Sequence, residues 1–283
     1  MNGLILINKP KGPTSNTVSV WVREILGEKT GHCGTLDPNV SGVLPILIGK
    51  GIKLLEYLQI HDKEYICLMK MDHKIDNDRL NEALKSFVGE IYQTPPLHAA
   101  VSRVTRTRKI YSIELLETMG KRALFRIECQ HGTYVRKLVE DLGHVLGTKA
   151  SMEELRRTKV GEFTEQECIS LVQLKDAYAL FKEKPGLLNE IIKPLEYAVK
   201  SWPRVYVKEK AAENIIKGAD LMAPGLERAE GQFSKNGILA IMSGDRLIAI
   251  GKALFDSKNI INQKRNPIVK LEKVLVLAEL AKR

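Results

Sequence analysis

Gly31-His32-Cys33-Gly34-Thr35-Leu36-Asp37-Pro38 is the stretch from which the rest of the chain can be read. Its two glycines and one proline fix an irregular loop. The loop presents a histidine and a carboxylate with no metal-ligating partner beside them. Loops held on a rigid scaffold are where catalytic groups concentrate. A second reading stands beside that one: an aspartate before a proline also serves as a turn residue that caps its neighbours.

Working outward, Leu4-Ile5-Leu6-Ile7 is a short apolar strand stopped by the turn-rich Asn8-Lys9-Pro10-Lys11-Gly12-Pro13. A helix follows, with Thr14 or Ser15 as candidate cap. Val18, Trp21, Val22, Ile25 and Leu26 fall at helical spacing, and Gly27 supplies the stop. Downstream of the loop, Val43 to Ile48 and Tyr65 to Met71 read as strands, and Leu80 to Val88 as a helix ended by Gly89. Val101 to Ile110 is basic: Arg103, Arg106, Arg108 and Lys109 lie there with no acidic residue between them. Ala123 to Cys129 sets Phe125, Ile127 and Cys129 against Leu124, Arg126 and Glu128, the period of a half-buried strand. After Gly132, the residues Val135, Leu138, Val139, Leu142, Val145 and Leu146 share one helical face, and Gly147 ends it. Strands and helices alternate without a strict βαβ rhythm, which predicts an α+β fold with a mixed sheet.

The chain has 283 residues, enough for one large domain or two ordinary ones. Its 44 Lys and Arg against 34 Asp and Glu give a net charge of +10. Such an excess suits an acidic partner, nucleic acid before membrane. The start of the chain does not read as a signal peptide, and no apolar run approaches the ~20 residues of a membrane span. Cys33, Cys67, Cys129 and Cys168 are scattered singly, so neither a zinc site nor a disulfide framework is expected. They read as reduced packing residues of a cytosolic protein.

Between residues 181 and 203 the composition shifts, with Lys182, Lys184, Pro185, Gly186, Lys193 and Pro194 ahead of Trp202-Pro203. A smaller unit of short strands follows. Ile238 to Met242 and Leu247 to Ile250 predict a hairpin around Ser243-Gly244-Asp245-Arg246, with Gly244 suited to the first central position of a type II′ turn. The expected organisation is a domain over 1–200 and a compact β-barrel module over 201–283.

The 31–38 octapeptide resembles the G-H-x-G-T-L-D-P motif of TruB-type pseudouridine synthases. The likeness extends through Ser41-Gly42-Val43-Leu44-Pro45 to Gly49. Asn8-Lys9-Pro10 is similar to that family's D-K-P loop, Lys63-Glu64-Tyr65 to its K-x-Y motif, and Gly132-Thr133-Tyr134-Val135-Arg136 to its G-T-Y-I-R. Leu155-Arg156-Arg157 with Gly161-Glu162-Phe163 resembles the motif that closes the catalytic domain. Gln93-Thr94-Pro95-Pro96, Arg106 to Tyr111 and Ser201-Trp202-Pro203-Arg204 resemble the dyskerin branch, the catalytic subunit of box H/ACA ribonucleoproteins, in its archaeal form. Gly218-Ala219-Asp220-Leu221 with Pro224-Gly225 resembles a PUA domain, an RNA-binding module.

The resemblance implies isomerisation of uridine to pseudouridine in rRNA or tRNA. It makes Asp37 the catalytic carboxylate and Arg136 its ion-pair partner, with Tyr65 stacked on the target base and His32 beside the extruded nucleotide. Arg136 has independent support: a cation in the first turn of a helix faces the positive end of the dipole, so an anion is expected to hold it. Lys9 is expected at a phosphate or as a loop-positioning group. Tyr134 and Leu155, together with Arg103, Arg106, Arg108 and Lys109 of the family's thumb loop, are expected against substrate RNA. No metal or organic cofactor is implied. The implied partners are guide RNA, substrate RNA, a zinc-ribbon-like small subunit, a Gar-type subunit and a kink-turn-binding subunit. The implied location is the cytoplasm.

Two rivals remain: a guide-independent tRNA enzyme acting on the T-loop uridine, and a silent RNA-binding scaffold. Asn8 departs from the family's usual Asp, which puts the ion pair of that loop in question. Archaeal dyskerin-type members also carry an N-terminal extension that packs on the PUA domain. This chain starts almost at its first strand, which bears on PUA stability and guide contacts.

Overall fold

The computed structural model describes residues 1–95, 104–181 and 183–276. Arg103 lies outside them. The chain forms two compact units. Residues 5–46 and 55–191 make one, and residues 1–4 and 47–54 join the segment from Ile192 onward in the other.

One mixed sheet has nine strands: β1 (Gly3–Lys9), β2 (Thr30–His32), β3 (Val40–Ile48), β4 (Lys63–Met71), β5 (Gly89–Gln93), β6 (Arg106–Met119), β7 (Arg122–Cys129), β8 (Ala150–Val160) and β9 (Phe163–Thr164). Its order is β1-β3-β8-β4-β7-β6-β5, with β2 on β3 and β9 on β8. Strand β8 runs parallel to β3, setting Gly42 beside Arg157, and antiparallel to β4, setting Tyr65 beside Arg157. This register brings the closing motif under the 31–38 loop.

Helix α1 (Ser15–Leu26) is capped by Thr14, whose hydroxyl accepts from the Thr17 N–H at 3.0 Å, and Gly27 ends it in the left-handed conformation. Ser15 is therefore released from capping. Helix α2 (Leu55–Leu58) is a single turn. Helix α3 (Asn77–Ser86) starts before Leu80 because the Asp76 carboxylate accepts from the Asp78 N–H at 2.9 Å. Helix α4 (Val135–Leu146) ends at Gly147 in the left-handed conformation, as the spacing predicts. Its buried face of Leu138, Val139 and Leu142 packs with Leu80 and Leu84 of α3 on Cys67, Met69, Phe125 and Ile127 of the sheet.

The second unit holds a six-stranded sheet of β10 (Arg204–Val207), β11 (Leu221–Met222), β12 (Leu226–Glu230), β13 (Ile238–Ser243), β14 (Arg246–Ala253) and β15 (Pro267–Val274), in the order β11-β15-β14-β13-β10-β12. The predicted hairpin is present: Ser243 pairs with Arg246, and Gly244 takes φ +54°. Leu239, Ile241, Ile248 and Val269 form its core with Ala212 and Ile215 of the helix Glu209–Ile216. Leu4 and Lys193 exchange two backbone hydrogen bonds of 2.8 Å, which ties the first residues into this unit.

Candidate active site

Asp37 lies in the loop between β2 and β3, and three buried polar side chains hold that loop from beneath. Lys9 has no exposed surface. Its ammonium donates to the carbonyls of Pro10 at 2.8 Å, Pro38 at 3.2 Å and Val40 at 2.8 Å. All three of its donors are thereby committed, so the expected contact with RNA phosphate is corrected: Lys9 positions the loop on both sides of Asp37. Burial, then the nearby Arg157 guanidinium, push its pKa down, and Asp37 opposes them.

Arg157 is also buried. It donates to the carbonyls of Val43 at 2.8 Å, Gly34 at 3.1 Å and Thr35 at 3.4 Å. Gly42 takes φ +111°, and a Cβ there would stand 2.1 Å from the Arg157 carbonyl oxygen, so this crossing requires glycine. Ser15 is the third support, bonded to the backbone of Leu36.

Arg136 projects from the first turn of α4. Tyr134 is the N-cap of that helix without a side-chain cap bond, and no acidic residue lies in the first turn. The anion comes instead from Asp37, whose Oδ2 accepts from Arg136 Nη2 at 2.6 Å. Their side chains are 55% and 51% exposed, so a substrate can reach the pair. An ion pair this exposed contributes only about 0–1 kcal/mol to stability. Its significance is chemical: it holds one carboxylate oxygen at a fixed point on the surface.

Tyr65 is buried in the central cluster with Leu36, Val135 and Leu155. Burial pushes its phenol pKa up, and the hydrogen-bonded Arg157 guanidinium pulls it back. Leu155, expected against RNA, is a packing residue of that cluster, because β8 lies at the centre of the sheet. His32 is half-buried; burial and then Arg157 lower its pKa, and its buried Nδ1 has no hydrogen-bond partner among the described residues. Tyr134 is half-buried, its backbone held by Gln93.

The basic stretch divides between two faces of β6. Arg106 and Arg108 alternate with exposed Thr107 and Lys109. Arg108 lies over Gly132, where a Cβ would meet its Nε at 3.1 Å. Lys109 instead stands 5.7 Å from the Tyr111 ring centre. Asn8 is neutral and makes a hydrogen bond in place of an ion pair: its amide oxygen accepts from Arg156 Nη1 at 3.2 Å, while the Glu165 carboxylate accepts from Arg156 Nε at 2.7 Å.

Sequence reasoning missed Ser15, Gln93 and Arg157 as site residues, and took Lys63 only as part of a motif. Lys63 is buried, and its ammonium donates to the carbonyls of Gln59, at 2.7 Å, and His61. Burial, then Arg157, lower its pKa from 10.5 to about 8. The folded state therefore disfavours the charged form, a penalty that applies in full below about pH 8. Between about 8 and 10.5 the unfolded chain binds a proton that the native one does not, so stability rises with pH. Denaturant titrations across that window should show wild type gaining on Lys63→Met as pH increases. Parallel stability curves would contradict this assignment.

Comparison with known proteins matches this arrangement. Residues 23–78 and 70–135 match the TruB family pseudouridylate synthase N-terminal domain, and residues 136–200 the tRNA pseudouridylate synthase B C-terminal domain. Residues 203–275 match the PUA domain. A probable tRNA pseudouridine synthase B of Archaeoglobus fulgidus is 45% identical over 278 residues, spanning 97% of this chain and 86% of the relative. One from Methanocaldococcus jannaschii is 43% identical over 277 residues, spanning 96% and 82%. Among solved structures, a Cbf5-Nop10-Gar1 complex matches with a TM-score of 0.92 and 40% identity, covering 99% of this chain and 87% of the matched one. An H/ACA RNP bound to a substrate RNA containing 2′-deoxyuridine matches with a TM-score of 0.91 and 39% identity, covering 98% and 86%. The protein is an RNA pseudouridine synthase with a PUA domain, and the chain belongs to the TruB family.

Proposed function

We propose that this synthase is the catalytic subunit of a box H/ACA guide ribonucleoprotein and that Asp37 is its catalytic carboxylate. The likeness to the RNA-bound H/ACA structure over 98% of the chain carries the first half of this reading. In the reaction the N1–C1′ bond breaks, the base turns, and a C5–C1′ bond forms. The proton lost from C5 is balanced by one gained at N1, with no redox change. Asp37 acts at the ribose, by attack on the sugar or by assisting a glycal. Arg136 orients it, Tyr65 stacks on the base, and His32 lies beside the nucleotide drawn out of its helix.

Guide RNA would select the uridine. The partner set is a zinc-ribbon-like small subunit, a Gar-type subunit and a kink-turn-binding subunit, and the Cbf5-Nop10-Gar1 complex supports the first two. We assign residues 1–200 to catalysis and 201–283 to RNA binding. Among the described residues no helix is long and apolar enough to cross a membrane, and we place the enzyme in the cytoplasm. The name of the Archaeoglobus fulgidus relative favours a second reading, guide-independent action on tRNA.

The two readings separate by incubating the protein with a tRNA transcript alone, then with partners and a guide–target duplex, and mapping pseudouridine at nucleotide resolution. Product on the guided target is expected. Product on free tRNA but never with a guide would replace the first reading by the second.

RNA contact by the basic strand has its own test. Arg106 and Arg108 lie on the face of β6 opposite to Lys109. Replacing both by Ala should reduce the slope of log affinity against log salt by ~0.7–0.9 for each phosphate no longer neutralised. An unchanged slope in the double variant would remove the phosphate assignment.

A further inference from the structure

Two side chains outside the ion pair make the same kind of contact on its two sides. Ser15 is fully buried. Its Oγ accepts from the Leu36 N–H at 2.7 Å and donates to the Leu36 carbonyl at 2.9 Å, and Leu36 directly precedes Asp37. Gln93 is 3% exposed. Its Oε1 accepts from the Tyr134 N–H at 2.9 Å and its Nε2 donates to the Tyr134 carbonyl at 3.1 Å. Tyr134 is the N-cap of α4, two residues ahead of Arg136, and its carbonyl also receives the Leu138 N–H at 3.0 Å.

The N–H and the carbonyl of one residue belong to the two peptide planes that flank it. A side chain bonded to both opposes rotation about that residue's φ and ψ, which a single hydrogen bond leaves free. Each clamp also uses a side chain with both a donor and an acceptor, a hydroxyl in one case and a carboxamide in the other. Burying such groups costs free energy unless their bonds are made, so apolar residues would serve better for packing alone. Helix capping does not account for Ser15 either, since Thr14 holds that position.

The ion pair needs such support. Its members are half-exposed, and an exposed pair has too little energy to organise two loops by itself. The clamps rise from regular elements, the first turn of α1 and the last residue of β5. They transfer the rigidity of those elements to two side chains that must stay open to substrate.

We propose that Ser15 and Gln93 are positioning residues of the isomerisation, which set through the backbone the geometry in which Asp37 meets Arg136. This rests on Asp37 being the catalytic carboxylate. The clamps act on the reactive geometry and not on RNA binding, so they divide kcat from KM.

The test uses Ser15→Ala and Gln93→Met in whichever RNA format supports wild-type turnover. Each should lower kcat by about ten- to a hundredfold while KM and RNA affinity stay within about twofold. Ser15→Thr, which keeps the hydroxyl, should restore much of the rate. In an Arg136→Lys background Gln93→Met should cost much less than in wild type, because Gln93 acts through Arg136. Gln93→Glu keeps the acceptor for the Tyr134 N–H and loses the donor, and it replaces Gln93→Met if that variant does not fold. Folded variants with wild-type kcat, or a full additive loss in the Arg136→Lys background, would overturn the proposal. An Asp37→Asn control separates the two layers. If it is inactive while Gln93→Met and Ser15→Ala match wild type, the clamps alone are wrong; if it remains active, the assignment of Asp37 fails and the clamps fall with it.

Discussion

Asp37→Asn is expected to lower kcat by about four orders of magnitude or more while leaving the fold and RNA binding intact. The substitution keeps the size of the side chain and one oxygen that can still accept from Arg136. What it removes is the negative charge and with it the ability to attack or stabilise a carbon at the ribose. The pair is half-exposed on both sides, so its contribution to stability is small and the thermal midpoint should shift by only a few degrees. Single-turnover reactions with enzyme in excess, followed by nucleotide-resolution mapping of pseudouridine, read the chemical step without interference from product release. Nearly complete loss of product with unchanged RNA affinity is the expected pattern. A rate within tenfold of wild type would end the case for Asp37. Equal losses of rate and affinity would instead make it a binding residue.

The same carboxylate shows how far the sequence could be read. Its loop, its motif and the cation awaiting an anion at the start of α4 were all visible, because each is a local pattern of a few residues. The helices were visible for the same reason: α1 and α4 have apolar faces at regular spacing and stop at Gly27 and Gly147, which adopt positive φ. Strand β8 was not visible. Glu153, Glu154, Arg156 and Arg157 interrupt any apolar run, yet this strand lies between β3 and β4 at the heart of the sheet. Its charges are tolerated through partners far away in sequence. Arg122 pairs with Glu153, Lys11 with Glu154, and the backbone carbonyls of the Asp37 loop with Arg157; Glu165, nine residues on, pairs with Arg156.

Lys9 was legible only as one of two alternatives, a phosphate contact or a loop-positioning group. Pro38 and Val40, which arrive from the other side of the loop, take its donors. Ser15 was legible only as a possible cap, and Gln93 only as part of a motif. Local patterns thus exposed the candidate reactive groups, and tertiary contacts exposed most of what holds them.

Arg157 is the residue on which most of that support converges. Arg157→Leu is expected to destabilise the protein by roughly 3 kcal/mol or more and to reduce kcat by about a hundredfold in the fraction that folds. Leucine fills part of the space but provides no donor, leaving the carbonyls of Gly34, Thr35 and Val43 without this partner below the Asp37 loop. Relief of the cost of burying a guanidinium offsets some of that loss, which limits the stability effect to a few kcal/mol. The effect on rate has a different origin. Gly34 and Thr35 lie just ahead of Asp37 in the same loop, so releasing them permits displacements that catalysis does not tolerate. Arg157→Lys separates the two contributions. An ammonium keeps the charge but cannot span all three carbonyls as the planar guanidinium does, so it should recover part of the rate and less of the stability. A third readout is the phenol of Tyr65. Burial raises its pKa and Arg157 draws it down, so removal of the guanidinium should shift its ultraviolet titration to still higher pH. Wild-type stability with wild-type rate in Arg157→Leu would show that the loop holds its shape without this arginine. The expected outcome is that Asp37 reaches its substrate in register only while the buried cation beneath it remains in place.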